Sequence, residues 1–225
     1  MGIVSTHMAL DVQLIPLGAW QTNALVLRGS HHSVTVCDPG MDPDPLISYL
    51  QDQKLRVEQI ILTHAHVDHI AGIDALSSAF GDPPLLVHPE EQEWLSHPEL
   101  NLSALSGFAV TSRPATGTIE EGQSIAVELE KATVLHLPGH SPGSIGLYFE
   151  SNGVLIGGDT LFQGSIGRTD FPTSDHSAMV QSLRRLLTLP DETKVYPGHG
   201  PATTIGQERQ TNPFLLELMT NRSDG

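Results

Sequence analysis

Thr63-His64-Ala65-His66-Val67-Asp68-His69 sets three imidazoles and a carboxylate within seven residues, directly after the apolar run Ile60-Ile61-Leu62. Histidine nitrogen and aspartate oxygen suit Zn, Fe or Mn. A short loop leaving a strand lets neighbouring side chains converge on an ion, which an extended strand does not allow. A solvated polar turn is the plain alternative for this segment taken alone.

Working outward, the same grammar recurs three times, each time as a β-like run followed by a Gly- or Pro-flanked polar residue. Val134–Leu137 leads into Pro138-Gly139-His140, Val154–Ile156 into Gly157-Gly158-Asp159, and Val195-Tyr196 into Pro197-Gly198-His199. Flanking glycines let backbone approach a ligand closely, and open α/β architectures place their sites at strand ends. Four strand ends are therefore expected to converge on one metal site. Other histidines read as ordinary: His31-His32 in a hairpin turn, His88 at a strand end, His97 and His176 in loop or cap contexts, and His136 pointing off a strand.

The remaining sequence bounds what such a site can serve. With 225 residues, 39% of them hydrophobic, the chain suffices for one substantial core, and a single domain over 8–225 is expected. Gly2–His7 shows no pattern and reads as an expression remnant or a disordered N-terminus spanning 1–7. The formal charge of -15 repels polyanions, so neither nucleic acid nor an anionic membrane is an expected partner. Cys37, the one cysteine, lies in an expected buried strand and cannot form an intramolecular disulfide, which fits a soluble cytoplasmic protein.

Periodicity gives two β-rich halves with helices interspersed. Strands are expected at Val12–Leu17, Asn23–Leu27, Val34–Cys37, Val57–Leu62 and Leu85–Val87, and later at Ile125–Leu129, Ala132–Leu137, Ile145–Phe149, Val154–Ile156 and Lys194–Tyr196. Helices are expected over Pro43–Gln53 with Asp42 as cap, Ile73–Phe80 ending at Gly81, Glu90–Leu95, Met179–Leu187 and Pro213–Thr220. Asn152-Gly153 reads as a hairpin turn. Leu100–Gly117, weakly patterned, reads as a loop or a flap over the site. Two sheets packed face to face with helices outside is the layered arrangement this suggests.

At this point the chain resembles the metallo-β-lactamase superfamily, through HxHxDH, the later Pro-Gly-His, the Gly-Asp and the Pro-Gly-His-Gly. Gly158-Asp159-Thr160-Leu161-Phe162, Gly164-Ser165-Ile166-Gly167-Arg168-Thr169-Asp170-Phe171 and Glu208-Arg209-Gln210-Thr211-Asn212-Pro213-Phe214 are similar to its short bacterial hydroxyacylglutathione hydrolase (glyoxalase II)-like group. The resemblance implies a four-layer αβ/βα sandwich with two divalent ions per chain, zinc in first place and iron or manganese as alternatives. By it, His64, His66 and His140 hold one ion, Asp68, His69 and His199 the other, and Asp159 bridges them, with Asp68 also the catalytic candidate. Asp38 would orient a ligand from behind. Arg168 could pair with Asp170 or hold a substrate carboxylate.

The activity so implied is hydrolysis of a small-molecule thioester such as S-lactoylglutathione, by hydroxide formed as the ions lower the pKa of water from ~16 towards ~7. Departures from the family narrow it. An aspartate stands where the commonest zinc β-lactamases carry a cysteine, which argues against penicillin hydrolysis, and no room exists for the inserted domain of the nucleic-acid-processing branches. Only about 25 residues follow His199, where the long enzymes carry a helical extension that holds glutathione, so the resemblance leaves glutathione specificity open. The alternatives are a mononuclear iron persulfide dioxygenase using His64, His140 and Asp159, a lactone or ester hydrolase, and a non-catalytic binding module. Oligomeric state is not readable.

Overall fold

The computed structural model describes residues 10–29 and 31–220, so the expected remnant at 1–7 lies outside the described residues. The first sheet runs, in spatial order, β1 (Asp11–Leu17), β2 (Thr22–Arg28), β3 (Ser33–Cys37), β4 (Arg56–Ile61), β5 (Leu85–Val87) and β6 (Gly117–Thr118). Its first three strands are antiparallel and the rest join in parallel. Between them run α1 (Asp44–Asp52), α2 (Val67–Ile70) and α3 (Ile73–Phe80). The second half supplies β7 (Ser124–Val127), β8 (Glu130–His136), β9 (Ile145–Phe149), β10 (Val154–Gly158), the short ribbon β11 (Leu161–Phe162) with β12 (Ser165–Ile166), α4 (His176–Leu186), β13 (Lys194–Pro197), β14 (Thr203–Thr204), α5 (Ile205–Thr211) and α6 (Pro213–Thr220). The second sheet has the order β14-β13-β10-β9-β8-β7.

Strand period assigns the side chains to layers, because successive residues face opposite sides of a sheet. In β2, Ala24 and Val26 pack toward α1 and α3, whereas Leu25 and Leu27 pack against the other sheet. Ile60 and Ile61 of β4 divide the same way. On the second sheet Val134 and Ile156 face inward, while Leu135 and Leu155 meet Met179, Leu183 and Leu186 of α4. Three apolar cores thus lie between four layers, helix, sheet, sheet, helix. Each fully buried Leu, Ile or Val contributes roughly 1.5–3 kcal/mol relative to exposure.

Local details separate what pattern predicts from what packing decides. α3 ends where expected, with Gly81 in the left-handed region at φ 79°. α4 begins earlier than its apolar stripe, because the Asp175 side chain accepts the Ala178 N–H at 3.0 Å and so caps the helix. The expected Asp42 cap is corrected: Pro43 occupies the cap position of α1, with no side-chain bond to the helix, and Asp42 sits before it at φ 53°. The expected helix at Glu90–Leu95 is a 3-10 segment, Pro89–Ser96, which draws the Glu91 side chain inside. At the expected 152–153 hairpin turn, a 3-10 turn over Glu150–Asn152 closes on a left-handed Gly153.

The two sheets are joined at one end. The Ile145 N–H donates to Thr63 O at 2.8 Å, and the Asn23 N–H to Gly198 O at 2.7 Å. Asn23 Nδ2 adds bonds to Pro197 O at 3.0 Å and Gly200 O at 2.8 Å. Loops from both sheets are thereby held against one another where β4, β8, β10 and β13 end.

Candidate metal centre

His64, His66, Asp68, His69, His140, Asp159 and His199 all meet at this junction. Their donor atoms group as His64/His66/His140, His64/His69/Asp159 and Asp68/His69/His199, each set within 4.8 Å. His66 Nδ1 lies 2.9 Å from His140 Nε2, and His199 Nε2 is 3.1 Å from Asp68 Oδ2 and 3.5 Å from Asp159 Oδ2. Asp159 also faces His140 Nε2 at 3.5 Å and His69 Nε2 at 3.6 Å, so it stands between the other groups. Gly198 makes this possible, since a Cβ there would collide with Asp159 Oδ1. Gly139, at φ 142° and packed on the Met179 backbone, likewise has no room for a side chain.

The rings are held from behind. The His140 Nδ1–H donates to Arg168 O at 2.9 Å and the His199 Nδ1–H to Trp20 O at 3.1 Å, which turns each Nε2 toward the centre. His69 Nδ1 lies 3.1 Å from Asp38 Oδ2, while the two Asp38 oxygens accept the Thr63 N–H at 2.7 Å and the Thr63 hydroxyl at 2.6 Å. Asp38 thus braces the first histidine loop at its start and one of its rings at the end.

Burial and charge fit cations at this centre. His64 Nε2, His66 Nε2, His69 Nε2 and Asp159 Oδ1 are buried with no hydrogen-bond partner, a costly arrangement for a polar core unless a ligand satisfies it. Burial, reinforced by the neighbouring imidazoles, pulls the pKa values of His64 and His66 well down, so both offer lone pairs. At His69 burial pulls down too, but Asp68, Asp38 and Asp159 outweigh it and push the imidazole up to about 10. Burial opposes ionisation of Asp68, yet His69, His199 and the Thr22 hydroxyl at 2.9 Å hold its carboxyl well below the usual range. A cluster of carboxylates that traps a proton on a buried ring is a cluster short of positive charge. The donor set of imidazoles and carboxylates suits Zn, Fe or Mn.

Sequence reading passed over two supports. Glu91 is fully buried and accepts the Ala65 N–H at 2.5 Å and the Gly143 N–H at 2.8 Å, linking the loop of His64 and His66 to the loop of His140. Burial pushes its carboxyl up to about 7, against the pull of Ser141 and those two amides. Only its place in a mixed helical stretch marked it, and that is no signal. Asn101 anchors the expected flap: its Nδ2 donates to Trp94 O at 2.9 Å and Val110 O at 3.0 Å, and its carbonyl accepts the Val67 N–H at 2.8 Å.

Above the centre lies a pocket of about 470 Å³, walled by Trp20, Leu102, Leu105, Phe162, Ile166 and Phe171. Trp20 stacks on Phe108 at 6.3 Å, so the 100–117 segment does border the site. Arg168 lines the same pocket. Its guanidinium makes 2.7 and 2.8 Å bonds to the Asp170 carboxylate and lies 4.3 Å over the Phe171 ring. Behind the lining residue Ser165, the buried Glu208 accepts from Gly164 N–H at 2.7 Å and Asn212 Nδ2 at 2.9 Å, and Asn212 Nδ2 also reaches Ser165 O at 3.0 Å. His31, His32 and His97 are exposed, and His176 opens α4.

Residues 17–199 match the metallo-beta-lactamase superfamily. Hydroxyacylglutathione hydrolase GloC of Haemophilus influenzae is 35% identical over 213 residues, covering 92% of this chain and 98% of that protein. Among solved structures, the B3 metallo-beta-lactamase BLEG-1 superposes with a TM-score of 0.87 at 43% identity, covering 91% of this chain and 99% of its own. A protein solved in a di-iron-bound form superposes with a TM-score of 0.81 at 39% identity, covering 91% of this chain and 100% of its own.

Proposed function

We propose, from the premise that this chain belongs to the metallo-beta-lactamase superfamily and is a metal-dependent hydrolase of that fold, that it acts as a thioesterase of the hydroxyacylglutathione hydrolase type. The observation that carries the metal-dependent reading is the set of buried, unpartnered donor atoms on His64, His66, His69 and Asp159. The likeness to GloC over nearly the whole of both chains supports the thioester. In this reading His64, His66 and His140 hold one divalent ion, Asp68, His69 and His199 a second, and Asp159 is shared.

When bound, such a pair of ions lowers the pKa of water toward neutrality and polarises a carbonyl oxygen. The chain's own residues do the rest. Asp38, Arg168 O and Trp20 O hold the outer nitrogens of His69, His140 and His199, so their inner nitrogens are turned toward the centre, where an incoming ion displaces the protons that His69 and His199 hold. Asp68, ionised and held by Thr22, remains an acceptor toward the reacting centre. The apolar walls keep bulk water from the substrate, which strengthens every electrostatic contact inside. A thiol leaving group with pKa ~8.5 departs with little help from an acid. Arg168 is positioned at the mouth to meet a substrate carboxylate if Asp170 releases it.

β-Lactam hydrolysis is the second reading, favoured by the 43% identity to a B3 enzyme. The test is metal content per chain measured beside hydrolysis of S-lactoylglutathione on the same sample. About two ions per chain with thioester cleavage is the expected result. One iron with oxygen uptake on glutathione persulfide would replace the proposal with the dioxygenase. Cleavage of a cephalosporin or a lactone without thioesterase activity would move it to those substrates.

A further inference from the structure

We propose that His88, Glu90 and His136 form a second site, separate from the seven-residue centre, for a divalent cation of the Zn²⁺ or Ni²⁺ kind. His88 follows β5 of the first sheet and His136 ends β8 of the second, so the pair spans the edge where the two sheets meet. Their rings stack at 4.3 Å with 12° between planes, and one donor atom from each of the three residues falls within 4.8 Å of the others.

Each of the two imidazoles has an independent reason to be available. The His136 Nε2–H donates to Pro142 O at 2.7 Å, which leaves Nδ1 as the bare lone pair. A ring nitrogen tied to a backbone carbonyl is the usual device for presenting the opposite nitrogen to a metal. His88 is 6% exposed, and its Nδ1 has only a 3.4 Å contact from the Glu90 N–H. Burial, and then His136 beside it, pull the His88 imidazole down from its ordinary pKa, although Glu90 and Glu120 oppose this. Two stacked imidazoles with carboxylates alongside make a nitrogen and oxygen donor set that borderline divalent ions prefer over Mg²⁺ or Ca²⁺. Water completes the shell on the open side.

The stack itself dictates what binding must change. Parallel rings point their lone pairs side by side, so closing on one ion requires the His88 ring to turn and give up its long contact with Glu90. His136 stays fixed by Pro142. An ion here would pin the loop over 138–143 from outside, two residues from His140, whereas Glu91 pins it from inside through Gly143.

Protein already loaded at the principal centre is titrated with Zn²⁺ and analysed for metal per chain, with its thermal midpoint followed in parallel. The native chain should take up one equivalent more than His136→Phe, which keeps a flat ring against His88 but removes the lone pair. The extra equivalent should raise the thermal midpoint of the native chain and leave that of His136→Phe unmoved. Glu90→Gln, on an exposed side chain, should weaken uptake without loss of fold. Equal uptake by the native chain and His136→Phe overturns the proposal, whatever number of ions the principal centre holds.

Discussion

The floor and the rim of the pocket are built on opposite principles. On the floor, the rings of His69, His140 and His199 are braced by groups that have no freedom of their own, Asp38 and two backbone carbonyls, and Glu91 ties two of the histidine loops together through their backbone. On the rim, Leu105 is 72% exposed and Trp20 42%, and both line the pocket with apolar side chains. The floor is over-determined, so small changes there should be costly. The rim should tolerate change, which makes it the expected seat of substrate choice.

The largest effect should come from the floor. Asp159→Ala or His64→Ala should lose bound metal and activity together, with kcat/KM falling on the order of a thousand-fold or more. A fully metallated, active variant at either position would break the contrast. Next, Glu91→Ala strands two buried N–H groups, each costing about 1–3 kcal/mol, so the thermal midpoint should drop clearly. Its metal affinity should fall by about 10–100-fold, and Asp38→Ala should show the same loss of affinity by competition with a chelator.

A pH dependence follows from the same floor. In the metal-free protein His69 is pushed up to about 10 and His199 is raised, so both compete for protons with incoming ions. Metal binding at neutral pH should therefore release protons, and affinity should fall as pH falls. Weakly buffered titration calorimetry measures this; uptake with no proton release would contradict it. The smallest effects belong to the rim: Trp20→Ala or Leu105→Ser should leave metal content unchanged and shift KM by about 3–10-fold, as expected for a few lost methylene contacts.

This division also explains which parts were legible. His64, His66, Asp68 and His69 announced themselves because a dense histidine cluster has few structural uses, and His140, Asp159 and His199 because glycine flanked each one at a strand end. The layers were readable from strands that alternate two apolar faces, as at Ala24–Leu27. Glu91 was not readable, because its role depends on a loop more than 50 residues away in sequence, at Gly143. His88 and His136 were hidden for the same reason: each looks ordinary until two sheets bring them together. Asp42 misled because it has the chemistry of a cap, while Pro43 took the position.

Trp20 carries one last consequence. Its side chain shapes the rim, but its contribution to the floor is a carbonyl that accepts the His199 Nδ1–H. Every residue type brings that same oxygen. Position 20 can therefore drift through many side chains, altering which molecules enter, while His199 stays oriented throughout. Diversification of substrate and preservation of chemistry are thus uncoupled at a single residue, which lets a lineage of such hydrolases explore new substrates without first dismantling its catalyst.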